Sequence, residues 1–248
     1  MLNRSYTPYL LIAVLAFVVT TGCRAQGNPG EPYQTFTAYN NIVIDYAVYL
    51  PEGFDADRAY PAVLAFPSGA MGRADADEMT ERLWSSPASR GEWIVVVPLV
   101  PGDDWRTHPK HHALNDLLDH IKEHYPIHEN IFHIMGYGGR GSDIASTWSH
   151  MSREYFASLT TASGAAYRQW DAGDLRSLPI QADERLDVLI IFGDKDEATM
   201  TDVEAAKVRM NGIDYPYMIE AVAGDDGALA SLSDGGLLDL MAARLLRR

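Results

Sequence analysis

The stretch Asn130-Ile131-Phe132-His133-Ile134-Met135-Gly136-Tyr137-Gly138-Gly139-Arg140-Gly141-Ser142 constrains the fold of this chain more than any other. Ile131, Phe132, Ile134 and Met135 form a short apolar run closed by glycines, the pattern of a buried parallel strand. Beyond the glycines, Ile144, Ala145, Trp148 and Met151 recur at helical spacing. Strand, sharp turn and helix therefore follow one another directly. Such a unit fits only a sheet whose strands are joined by crossover helices.

The remaining sequence repeats that alternation. Ile42 to Leu50 is rich in β-branched and aromatic residues and ends at Pro51-Glu52-Gly53, and Tyr60 to Phe66 repeats the pattern before Pro67-Ser68-Gly69. A helix is expected from about Ala74 to Trp84. Trp93 to Val97 is apolar throughout and should lie in the centre of the sheet. Pro109 opens a helix with Leu114, Leu117, Leu118, Ile121 and Tyr125 on its buried stripe, and Pro126 ends it. Tyr155 to Ser163, Asp187 to Phe192 and Tyr215 to Val222 read as further strands. Thr201 and Glu204 form a capping box for a helix to about Met210, and Leu237, Leu238, Met241, Leu245 and Leu246 stripe a final one. The class is α/β: one doubly wound, mostly parallel sheet in a single domain without a lid. Ligands of such sheets bind beyond the carboxyl ends of the strands, here the loops after Phe66, Val97, Met135, Ser163, Phe192 and Val222.

Within 248 residues, 1–22 read as a secretory signal, with Arg4 ahead of the apolar run Tyr9 to Val19. Thr20-Thr21-Gly22-Cys23 holds the chain's single cysteine and resembles the lipobox of bacterial lipoproteins, which implies a lipid on Cys23, membrane attachment through it and a cell-envelope location. Residues 23–34 then form the anchor and a flexible tether, and 35–248 the domain. A net charge of −14 excludes nucleic acid as a partner, because phosphate contacts require a basic surface.

From Ile42 onward the sequence resembles the α/β-hydrolase superfamily, and most closely its small carboxylesterase-like, polyhydroxybutyrate-depolymerase-like and feruloyl-esterase-like members. Tyr49 to Phe54 resembles the family's strand ending in Pro-x-Gly, and Tyr60 to Phe66 the strand before the oxyanion loop. Ile131 to Gly141 resembles the nucleophile elbow, and Ile190 to Asp196 the strand that delivers the catalytic acid. The resemblance implies an α/β-hydrolase fold and a Ser-His-Asp triad in the order nucleophile, acid, base. Gly138 stands at the nucleophile position, and Arg140 at the elbow's second glycine. Asp196 matches the acid, and Asp226, within Gly224-Asp225-Asp226-Gly227, falls where the histidine should be. All eight histidines lie at or before His150, and the oxyanion loop reads Pro67-Ser68-Gly69 instead of His-Gly.

Acyl transfer needs an activated hydroxyl, a base, an orienting carboxylate and oxyanion donors. With the first two missing, the expected role is a binding or interaction module. Its pocket over Gly138 is expected to include Ser68, Gly69, Tyr137 and Gly139, with Asp196 and Asp226 on its rim, and to take a small neutral or cationic molecule or an ester-like compound without a cofactor. The alternative is an active ester hydrolase with a displaced nucleophile and base, Ser68 and His108, or with a metal. His112, Asp116, His120 and His124 recur every fourth residue along one helix. His120 and His124 are the better candidate ligand pair, although a solvated polar face accounts for such a row.

Overall fold

In the computed structural model, residues 32–84, 91–102, 108–168, 170, 185–224 and 236–245 are described, with the side chains of His108 and Pro109 excepted. Cys23 with its signal, Asp225, Asp226 and Leu246 lie outside the described residues.

Among the described residues, eight strands form a single sheet. In chain order they are β1 (Tyr33–Thr37), β2 (Val43–Tyr49), β3 (Tyr60–Phe66), β4 (Ile94–Leu99), β5 (Ile127–Tyr137), β6 (Phe156–Ala162), β7 (Asp187–Gly193) and β8 (Tyr217–Val222). Their spatial order is β1-β2-β4-β3-β5-β6-β7-β8. The pairs β1–β2 and β2–β4 are antiparallel, and all others are parallel. The doubly wound sheet expected from the alternation is therefore present. Tyr33 and Gln34, placed in the tether by the sequence, belong to β1, which pairs with β2 from Tyr33↔Ala47 to Thr37↔Val43.

The helices are α1 (Arg73–Trp84), α2 (His108–His124), α3 (Gly138–Met151), α4 (Glu197–Asn211) and α5 (Gly236–Leu245). Side chains alternate across the strands, so each face of the sheet has its own core. Ala62, Leu64, Ile94 and Val96 pack with α2, α3 and α4, whereas Val63, Ala65, Val95 and Val97 pack with α1 and α5. Every residue of β4 is buried, as its unbroken apolar sequence requires of a strand covered on both faces. Leu114, Leu117, Leu118 and Ile121 of α2 are fully buried. Truncating any one of them to alanine is worth about 2–5 kcal/mol.

α4 differs from expectation. It starts at Glu197, with Asp196 as N-cap accepting from the Thr199 N–H at 3.0 Å. Thr201 is a turn inside the helix, where its hydroxyl donates to the Glu197 carbonyl, and Glu204 pairs with Lys207. A capping-box sequence needs a non-helical residue ahead of it, and here the helix is already running.

Candidate active-site cleft

β5 ends in extended backbone at Tyr137 and α3 begins at Gly138, whose φ of +65° turns the chain through the left-handed region. Packing around this turn leaves no room for side chains. A Cβ on Gly136 would lie 2.3 Å from the Gly141 carbonyl oxygen and 2.4 Å from the Ser142 nitrogen. One on Gly141 would lie 2.5 Å from the Phe66 oxygen, and one on Gly164 would lie 2.6 Å from the Gly138 oxygen. These glycines let α3 enter directly over the sheet edge. Arg140, at the elbow's second-glycine position, is not the point of close approach. That point is Gly141, and the Arg140 guanidinium turns outward to donate to the Gly102 carbonyl at 2.9 Å.

The space that an elbow side chain would fill is taken from the neighbouring strand. A Cβ built on Gly138 comes within 2.6 Å of Ser68 Oγ and 2.8 Å of Ser68 Cβ. The register explains it. β3 pairs with β5 at Phe66↔Gly136, so the residue two beyond each pair member, Ser68 and Gly138, meet above the edge.

Above them opens a cleft of about 480 Å³ that includes Ser68, Gly69, Tyr137, Gly138 and Gly139, the residues expected from the sequence. The sequence did not single out Asp75, Glu78 and Arg82, which α1 contributes to the wall, and it placed Ser163 at a strand end on the ligand-binding edge. Asp75 accepts from the Gly72 N–H at 3.0 Å, and it sits against Gly69, whose φ is +75°. Arg82 pairs with Glu78 at 2.8 Å and donates to the Tyr137 hydroxyl at 3.3 Å. With Asp196 also on the rim, carboxylates outnumber the cleft's guanidinium. Ser163 is 7% exposed, has a φ of 52°, and its buried hydroxyl has no hydrogen-bond partner among the described residues. A buried unpaired hydroxyl in a cleft wall is a site at which a ligand recovers a desolvation cost of about 1–3 kcal/mol.

The acid position is filled, but its carboxylate caps α4. Asp194 accepts from the Gly224 N–H at 2.8 Å and joins the loops after β7 and β8. Asp226 lies outside the described residues, as does the side chain of His108, so the Ser68–His108 pair is not brought together here. None of the described imidazoles lines the cleft. Two of them do touch serines, both away from the elbow. His111 Nε2 is 2.6 Å from Ser152 Oγ, and that hydroxyl donates to Asn115 Oδ1 at 2.6 Å. The serine's only proton is thus committed to Asn115, so the imidazole must donate and cannot be the base. His133 Nδ1 is 2.7 Å from Ser158 Oγ deep in the sheet, with Trp93 against its ring. Burial pushes the His133 imidazole down to about 4, with His128 adding a smaller charge effect, so it stays neutral.

The helical row is only partly a solvated face. His112 is exposed, whereas His120 is half-buried against Phe36 and His124. Glu123, passed over in the sequence, joins His120 and His124, with potential ligand atoms of the three within 4.8 Å of one another.

No protein-family profile matches the sequence, and no curated protein matches it. Solved structures do. A thermostable esterase superposes with a TM-score of 0.64 at 15% identity, over 86% of this chain and 62% of its own length. An S-formylglutathione hydrolase from Agrobacterium tumefaciens gives 0.57 at 17% identity, over 86% of this chain and 94% of that one. Est1E from Butyrivibrio proteoclasticus gives 0.60 at 11%, over 88% of this chain and 100% of its own. The chain therefore spans less than two thirds of the thermostable esterase it resembles. The likeness is one of fold, and the fold is the α/β-hydrolase sheet expected from the elbow and acid-loop sequences.

Proposed function

We propose that this esterase-like α/β-hydrolase domain is a binding module that has lost Ser-His-Asp catalysis, and that its cleft over Gly138 takes a small neutral or cationic ligand. The observation that carries the reading is the elbow itself. Gly138 keeps the turn without a hydroxyl, Ser68 fills the space above it, and no described imidazole stands within the cleft. A serine hydroxyl needs a base of suitable strength, and carboxylates such as those on the rim are weak bases toward an alcohol. The same carboxylates and the unpaired Ser163 hydroxyl suit a ligand with a cationic group and a hydrogen-bonding function. Attachment through a lipidated Cys23 would hold this cleft at a membrane of the cell envelope, presented to small molecules there. No described helix is long and apolar enough to cross a membrane.

The placement of Ser68 also favours a second reading, an ester hydrolase with Ser68 as displaced nucleophile and His108 as base. The two readings separate on purified protein challenged with a fluorophosphonate probe and short-chain aryl esters. The binding module gives no labelling and no turnover. It gains thermal stability from an ammonium-bearing ester analogue but not from its carboxylate counterpart. Labelling that disappears in Ser68→Ala, or turnover lost in His108→Ala, would overturn it in favour of the hydrolase.

A further inference from the structure

The last turn of α2 carries a second constellation, at the opposite end of the sheet from the elbow. β5 begins just after α2 and ends at Tyr137, beside Gly138, and the paired β3 runs from Tyr60 to Phe66 between the same levels, so the two places lie roughly 20 Å apart. Here His120, Glu123 and His124 bring two imidazoles and a carboxylate to one helical face, with potential ligand atoms within 4.8 Å of one another. The i, i+3, i+4 spacing is responsible, because residues three and four apart share a face.

Three features prepare these groups for a cation. His124 Nδ1 lies 2.7 Å from the His120 carbonyl. A carbonyl only accepts, so Nδ1 carries the proton and Nε2 is left with its lone pair, the arrangement that orients metal-binding histidines. His120 is half-buried, with the His124 ring 4.1 Å away. Its ring is held at 5.0 Å from Phe36 of β1, which limits its rotation. Finally, His120 and Glu123 border a cleft of about 830 Å³ that also receives Asp116 and Asp119. Asp116 accepts from the Tyr39 N–H at 3.1 Å, and Asp119 from the Tyr155 hydroxyl at 2.9 Å. Lys122 stands beside Asp119 at 3.7 Å, so the added carboxylates leave the cleft acidic.

We propose that His120, Glu123 and His124 form a binding site for one divalent transition-metal ion of the zinc class, with water from the adjoining cleft completing its shell. Two imidazole nitrogens and one carboxylate oxygen select zinc-class ions over magnesium or calcium, which prefer all-oxygen shells. In a tetrahedral shell the ligand atoms stand about 3.3 Å apart, so side-chain rotations of about 1 Å close the set around the ion. The ion would brace the last turn of α2, remote from the elbow, and the site is independent of what the elbow cleft does.

The test uses the full chain, freed of metal by dialysis against a chelator and titrated with Zn²⁺ in competition with a chromophoric chelator. Co²⁺ substitution reports the geometry through its visible absorption. One equivalent of Zn²⁺ should bind, and Co²⁺ should give the intense bands of a four-coordinate site. The double variant His120→Ala/His124→Ala should lose both. Glu123 is exposed and its replacement is not expected to disturb folding, so Glu123→Gln should weaken Zn²⁺ by at least about 10-fold while circular dichroism stays unchanged. His128→Ala, on the exposed start of β5, should change nothing. No stoichiometric binding to the unaltered chain, or binding that survives in the double variant, would overturn the site.

Discussion

Gly136 and Gly138 stand two residues apart in one turn, yet they answer to different constraints. Gly136 has ordinary backbone and is pressed against the backbone of Gly141 and Ser142, so any side chain there collides with atoms that cannot rotate away. Gly138 has positive φ and faces a side chain, that of Ser68. The first glycine belongs to the frame that seats α3 on the sheet. The second occupies the place where such a frame carries its chemistry. A scaffold can lose the second requirement and keep the first because they involve different atoms: the frame is enforced by close-packed backbone, whereas the reactive hydroxyl contributes nothing to folding.

The strongest way to break this comparison is Gly136→Ala. With a Cβ at 2.3 Å from a backbone oxygen, relief requires α3 to move off the sheet, so the cost should be about 3 kcal/mol or more in denaturant unfolding of the full chain. Gly53→Ala is the reference. Gly53 has a φ of +65° but nothing within 4 Å of an added Cβ, so it should cost only the backbone strain, about 1 kcal/mol. Equal costs at the two positions would mean that packing does not fix the turn.

That frame was legible in the sequence for a physical reason. Apolar runs of strand length, glycines and helical stripes are local signals, and in β5, β4 and α2 they agreed with the packing. β1 was missed because Tyr33 to Thr37 is an edge strand of mixed polarity, buried too little to leave an alternating pattern. The start of α4 was misplaced because two capping patterns compete, and tertiary position, not local sequence, selects Asp196. At the elbow, the glycine at position 138 could be read directly from the sequence. The approach of Ser68 could not, since Ser68 and Gly138 lie far apart in the chain and meet only through the parallel register of β3 and β5. Asp75, Glu78 and Arg82 were invisible for the same reason: nothing in α1 itself says which of its polar residues overlook the cleft. Ser163 was visible only as a small residue at a strand end, and its unpaired hydroxyl is a property of the packed state.

A second test sharpens the distinction at Gly138 itself. Gly138→Ala should cost about 2 kcal/mol, combining left-handed backbone strain with the overlap on Ser68. Ser68→Gly removes the atoms the new methyl would strike. In a double-mutant cycle the pair should therefore recover about 1 kcal/mol, leaving the strain alone. Additive costs would show that the loop bearing Ser68 already yields to a side chain on the elbow, and that the two residues do not compete for one space.

The smallest effect is expected at Arg140, where a Gly-x-Ser-x-Gly elbow would place a glycine. Its side chain reaches out to the Gly102 carbonyl, and its Cα stands one residue away from the contact that Gly141 makes with Phe66 and Pro67. Arg140→Ala keeps the backbone and improves helix propensity slightly while removing an exposed hydrogen bond, so it should cost no more than about 1 kcal/mol. Gly141→Ala, one residue on, meets backbone oxygens at 2.5 and 2.9 Å and should rank with Gly136→Ala. If the ranking were reversed, Arg140 rather than Gly141 would be the contact point. The large residue would then be tolerated only because the strand beneath had shifted to admit it, and the intact frame on which the comparison rests would no longer be that of an α/β-hydrolase fold.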